Sequence, residues 1–301
     1  MTDAKELLKG AIDLHLHSGP GLVPRGFDHV EVVRGAIDAG MRALVIKDHH
    51  LPSGNICQLL QKYCVKEGEN FNVYGGLVLG NPVGGINPSV VEVALGFNTK
   101  VVWMPVMSAR YGRERMEYLR EHCPEYRSGV PKAENEMRFD PPMSITDETG
   151  RLLPQVGEVC RLIAQRGAIL ATGHISPRET RLLLDEAVKQ GVKNIVITHA
   201  EYFRDFSMED MREFAAAGFY VEHIITPVYS GKITYDRLFE LVKNTGADRA
   251  VISSDLGQVG RPLPSEGLTV FIQEMQERGL SDEEIRQITS LNQRTLLGIA
   301  G

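Results

Sequence analysis

Short apolar runs recur along the chain, separated by stretches in which apolar residues return every three or four positions. The short runs predict β-strands and the longer-period stretches predict amphipathic helices. Ile12, Leu14 and Leu16 alternate with Asp13, His15 and His17, so a strand over 11–17 sends the apolar side chains one way and the polar three the other. Val30, Val33 and Ile37 stripe a helix over 29–39, with Asp28 as its cap and Gly40 as its stop. Further strands are expected at 43–47, 72–78, 99–105, 168–172, 194–198, 219–225 and 249–253. Helices fill the intervals, and Ser176-Pro177-Arg178-Glu179 is a helix start with serine as cap, proline in the first turn and a carboxylate three residues on.

The alternation yields eight strand–helix units, which makes the sheet parallel. Polar residues close the first, second, fifth, sixth and eighth strands, and only a closed sheet brings those ends to one rim. The expected architecture is therefore an α/β fold, a (β/α)8 barrel of the TIM type, in a single domain over 1–301. Residues 106–152 break the rhythm after the fourth strand: a charged helix over 110–122, a proline-rich passage, then a small hairpin around Asp147-Glu148-Thr149-Gly150. That insertion is long enough to cover an active site, and its 129–150 loop is the candidate lid.

Composition changes this picture little. The apolar fraction of 43% and the charged fraction of 24% suit a globular protein. A net charge of −6 without a basic block argues against nucleic acid as a partner. Cys57, Cys64, Cys123 and Cys160 are too scattered for a metal pair and fit free thiols in a reducing, cytoplasmic setting. Neither a secretory leader nor a membrane span is expected. Homo-oligomerisation fits such a fold, although no surface is marked for it.

The chemistry is expected at the strand ends. His15 and His17 close the first strand, Lys47 and His49 the second, His174 the fifth, His199 and Glu201 the sixth, and Asp255 the eighth. One histidine at a strand end is an ordinary polar residue. Imidazoles at corresponding positions on several strands, joined by a carboxylate, suit one divalent ion or two. Zinc fits this nitrogen-rich set first, with manganese, nickel or iron as alternatives. Asp13, Glu201 and Glu222 are candidates to fix an imidazole tautomer, Glu201 foremost, because it lies two residues beyond His199. His50 and His223 are out of phase with these and are expected to face away from the barrel axis, although phase weakens at strand ends and leaves His223 open as a candidate.

His-x-His on the first strand, histidine on the fifth and sixth, and aspartate on the eighth resemble the amidohydrolase superfamily of metal-dependent barrel hydrolases. Lys47-Asp48-His49 and Thr172-Gly173-His174 are most similar to its small uncharacterised members. The resemblance implies His15 and His17 as ligands of a more buried ion and His174 and His199 as ligands of a more exposed one. It implies Asp255 as both ligand and proton acceptor. The chain departs on the fourth strand, where Val101-Val102-Trp103-Met104-Pro105 offers no bridging acid or lysine. Either one ion is bound or the bridge comes from elsewhere, with a carboxylated Lys47 as candidate; an uncarboxylated Lys47 would instead clamp substrate. Ile46-Lys47-Asp48-His49 is also similar to the Thr-Asp-His segment of the PHP family of metal-dependent phosphoesterases, which would make His49 a ligand.

The expected function is hydrolysis of a C–N or C–O bond (amide, cyclic amide or lactone) in a small polar, anionic substrate. Asp255, Lys47 and Glu201 are the catalytic candidates, and Arg178, Arg204, Arg110 and Tyr229 are candidates to hold the substrate. The alternatives are a PHP-like phosphoesterase whose metal cluster includes His49, and a metal-binding protein without turnover.

Overall fold

The computed structural model describes residues 2–126 and 139–299. Eight parallel strands follow one another around the sheet in chain order. They are β1 (Ile12–Leu16), β2 (Ala43–Ile46), β3 (Asn72–Val78), β4 (Thr99–Trp103), β5 (Ile169–Ala171), β6 (Asn194–Ile197), β7 (Tyr220–Ile224) and β8 (Ala250–Ser253). Each strand lies within the run expected for it, shorter by a residue or two where the chain turns towards the rim. The expected (β/α)8 barrel is the observed fold.

Closure between β8 and β1 happens just beyond the regular ladder. The Asp255 N–H donates to the His15 carbonyl and the His17 N–H to the Leu256 carbonyl, each at 2.7 Å. Asp13 Oδ1 accepts from the backbone N–H groups of Ser254 and His15, both at 3.1 Å. A side-chain carboxylate thus replaces backbone acceptors in the seam, and its burial raises the Asp13 pKa to about 6 despite the bonds it receives from Ser254 and His15.

Alternate strand residues split the apolar interior in two. Ile12, Leu14, Val45, Val101, Trp103, Ile169, Val196 and Val251 fill the barrel, and the other face of each strand packs beneath the helices. The helices begin and end where local chemistry directs: Asp28, Ser176 and Ser207 form reciprocal capping boxes, and Gly167 adopts the left-handed conformation that stops the Pro154–Arg166 helix. The expected lead-in helix is Ala4–Leu8. A one-turn helix at Thr226–Tyr229 and a π-helical turn at Gln287–Leu291 were not expected from the pattern. Both are too short for periodicity to reveal.

In the insertion, the charged helix spans Arg110–His122, as expected. The hairpin is present as an isolated antiparallel bridge between Thr146 and Leu152, with the Asp147 N–H donating to the Arg151 carbonyl at 2.8 Å. The 127–138 part of the insertion, including the start of the candidate lid, lies outside the described residues. Among the described residues, no helix is long and apolar enough to cross a membrane.

Candidate metal centre

At the C-terminal rim, β1 and β8 deliver His15, His17 and Asp255 to one point, where a ligand atom from each lies within 4.8 Å of the others. His15 Nε2 is 3.1 Å and His17 Nε2 is 3.0 Å from the same oxygen, Asp255 Oδ1. Each ring is oriented through its other nitrogen. His15 Nδ1 lies 3.2 Å from both oxygens of Glu222 on β7, and His17 Nδ1 lies 2.8 Å from the Lys47 carbonyl. Carboxylate and carbonyl only accept, so each Nδ1 carries a hydrogen, and in the neutral ring that leaves the Nε2 lone pair turned towards Asp255.

These side chains fit a divalent cation. Burial, with Arg25 and Lys47 nearby, lowers the His17 pKa to about 3, so its ring is neutral. A neutral His17 Nε2 lone pair facing a carboxylate oxygen at 3.0 Å is two acceptors in contact, which a cation between them resolves. His15 differs: burial and Lys47 oppose a second proton, but Asp255 and Glu222 outweigh them and raise its pKa to about 9. Asp255 itself is held well below the usual carboxylate range, its burial being overcome by His15 and His17. The cluster is capable of coordinating a divalent ion.

His174 and His199 form a second group beside the first. Their Nε2 atoms are 2.9 Å apart, and the His199 ring stacks on His15 at 6.0 Å. Burial pushes both pKa values down, that of His199 to about 3, so both rings are neutral donors of electron pairs. Their positions are set by the ends of β5 and β6: the Gly173 N–H donates to Thr198 Oγ1 and the Thr198 N–H to Thr172 Oγ1, each at 3.0 Å. His199 and Asp255 both have left-handed backbone, with φ of 25° and 48°. Such conformations persist where the surroundings enforce them, and here the His199 N–H donates to Glu222 Oε2 at 3.1 Å.

Lys47 and His49 also reach this rim. Lys47 Nζ lies 2.9 Å from His15 Nε2 and 5.0 Å above the Trp103 ring, and burial lowers its pKa to about 8. The His49 ring packs on His17 at 4.6 Å, and its buried Nδ1 has no partner among the described residues. β4 contributes a buried Trp103 at 5.6 Å from the His15 ring, so an indole stands where a bridging acid was missing.

The remaining expected residues lie elsewhere. Glu201 accepts from His223 Nδ1 and from the Ile224 N–H, each at 2.9 Å, and is turned away from His199. The carboxylate that orients the centre is Glu222 instead. Arg204 is fully buried against the turn before His174, where Nη1 donates to the Gly173 carbonyl. Arg110 and Arg178 line a cavity of about 210 Å³ with Tyr111 and Ser176, and none of the candidate ligands lines it. Tyr229 packs its ring against the core outside the barrel, and its carbonyl receives Arg261. His223 faces away from the axis as expected, donating to Glu201 and meeting Thr245 Oγ1 at 2.9 Å. A second cavity of about 230 Å³, lined by Leu51, Val93 and Phe97, is apolar and holds no titratable side chain.

Fold and site together define a (β/α)8 barrel with a histidine–aspartate cluster at its C-terminal rim. The chain belongs to DUF6282, a family of unknown function, which it matches over residues 10–222. That span includes every candidate ligand except Asp255. No curated protein sequence matches the chain. Among solved structures, an amidohydrolase from Pseudomonas aeruginosa superposes with a TM-score of 0.67 at 13% identity, covering 99% of this chain and 100% of that one. The probable dipeptidase PvdM from Pseudomonas aeruginosa gives 0.63 at 13% identity, covering 98% and 96%. A 2,6-dihydroxybenzoate decarboxylase from Rhizobium gives 0.52 at 14%, covering 97% and 100%. At such identities the likeness is one of fold.

Proposed function

We propose that this protein is a metal-dependent hydrolase of the amidohydrolase type, cleaving a C–N or C–O bond in a small anionic substrate. The observation that carries this is the meeting of His15 Nε2 and His17 Nε2 at one oxygen of Asp255, each ring held by an acceptor behind it. His15, His17 and Asp255 would hold the ion, zinc by preference for the nitrogen donors, and His174 with His199 would hold a second where two are bound. A divalent ion there supplies Lewis acidity, making water nucleophilic near neutral pH and drawing electron density from the scissile carbonyl.

The chain's own groups supply the rest. The Asp255 carboxyl, charged beside His15 and His17, would orient the attacking water and take its proton. It then returns that proton to the leaving group. Glu222 keeps His15 in the tautomer that offers Nε2. Lys47, as an ammonium beside His15, would stabilise negative charge developing on the substrate; once carboxylated it would instead be a ligand. The Arg110–His122 helix presses Gly112 against His174, where even a Cβ would come within 2.8 Å of the histidine Cβ.

His49 supports a second reading, phosphoester hydrolysis, because its buried Nδ1 is unpartnered beside His17. One experiment separates the alternatives: a zinc- or manganese-loaded preparation assayed on amides, lactones and phosphoesters, with anomalous diffraction to count ions. Turnover of an amide or lactone, abolished by chelation and by Asp255→Asn, supports the proposal. Phosphoester turnover with His49 ligated replaces it, and an ion in a closed coordination shell without turnover rejects catalysis.

A further inference from the structure

The loop between β1 and the following helix carries a guanidinium that the candidate metal chemistry does not use. Residues 18–28 are fastened along the turn after β8: the Gly26 N–H donates to the Gly257 carbonyl at 2.9 Å, and Arg25 and Gln258 form an antiparallel bridge. Gln258 Nε2 in turn donates to the Asp255 carbonyl at 2.8 Å. Arg25 is thereby fixed beside Asp255, within electrostatic reach of Asp255 and Asp48.

The guanidinium is half-buried, yet among the described residues it makes no side-chain hydrogen bond and no ion pair. Of the two acids that act on it, Asp48 and Asp255, one oxygen each is engaged elsewhere. Asp48 Oδ1 accepts from the N–H groups of His50 and Leu51 at 2.6 and 2.9 Å, and Asp255 Oδ1 faces both histidines. The five donors of Arg25 make no hydrogen bond among the described residues, and although Asp255 and Asp48 offset part of its charge, those donors are available to a further anion. Arginine is also the side chain whose planar fork matches a pair of anionic oxygens.

We propose that Arg25 is the specificity-determining residue of this site, binding an anionic oxygen pair of the substrate, a carboxylate or a phosphate, and so directing the neighbouring bond towards the histidine–aspartate cluster. This rests on the metal-dependent hydrolase reading and assigns its substrate class. It also places substrate recognition on the β1 and β8 loops, away from Arg110 and Arg178.

The test is calorimetric titration of wild type, Arg25→Met and Arg25→Lys, zinc-loaded and metal-free, with N-acetylglycine, its neutral analogue N-acetylglycinamide and inorganic phosphate. Wild type should bind one of the anions about 10-fold to 100-fold more tightly than Arg25→Met, the range for charge-assisted hydrogen bonds, with Arg25→Lys between them. The neutral analogue should not distinguish the variants. Preference for N-acetylglycine or for phosphate identifies the source of the oxygens. Zinc affinity of Arg25→Met should be unchanged or higher, since a cation leaves the neighbourhood of Asp255. Anion affinities within twofold across the variants overturn the proposal, as does loss of zinc binding in a folded Arg25→Met, which would make the arginine a support for the cluster. If Arg25→Met does not fold, Arg25→Lys alone decides by the same comparison. A wild type that holds no zinc overturns the metal-dependent reading, while the metal-free titrations still report on Arg25.

Discussion

Two carboxylates illustrate how little separates adjacent roles at the residue scale. Glu201 and Glu222 were both candidates to orient an imidazole, and proximity to His199 in sequence favoured Glu201. The structure gives Glu201 to His223 and Ile224 on the outer side of β7, and gives Glu222 to His15 inside the barrel. A strand residue such as Glu222 keeps its phase, whereas Glu201 lies in a turn, where alternation no longer says which way a side chain points. Replacing Glu222 with glutamine should leave the fold intact and weaken zinc binding about 10-fold to 100-fold, the usual penalty for loss of a group that orients a ligand histidine. Competition with a chelating dye measures it, and unchanged affinity would remove Glu222 from the centre.

At the scale of elements, the β8–β1 seam is the least regular part of the sheet and the part on which the site depends. Asp13 closes it by accepting two buried N–H groups. Asp13→Ala should therefore destabilise the protein by about 2 kcal/mol or more, because buried donors are left unsatisfied. Asp13→Asn, which keeps the acceptor, should cost less. Urea denaturation reads both, and equal stabilities would show that backbone bonds alone hold the seam. The strands themselves were legible within a residue or two because each is a short apolar run bounded by glycine or a polar rim residue. The one-turn helix at Thr226–Tyr229 was not, since four residues cannot display a helical period.

At the scale of the whole molecule, the cluster joins the first strand to the last. An ion held by His15, His17 and Asp255 would tie the two edges of the barrel, and a ligand that binds only the folded state stabilises it by mass action. At a thousandfold excess over its Kd, zinc should add about 4 kcal/mol. For a chain of this size that corresponds to a rise in Tm of roughly 6 °C. His17→Ala should lose most of that shift. Melting curves with zinc and with a chelator test this, and coincident curves for wild type would show that no ion is held there.

The sequence by itself determined the eight-unit rhythm, the parallel barrel, and the strand-end residues from which a site could be built. It could do so because periodicity and turn chemistry are local properties, and because a closed barrel must gather its strand ends on one rim. Only the tertiary structure decided which of those residues meet. His15, His17 and Asp255 converge on one oxygen, Arg204 and Glu201 are turned elsewhere, and Arg25 is brought in from a loop with no periodic signature. Those outcomes depend on register across the β8–β1 seam and on loops pinned to one another by backbone hydrogen bonds, and neither is encoded in the spacing of residues along the chain.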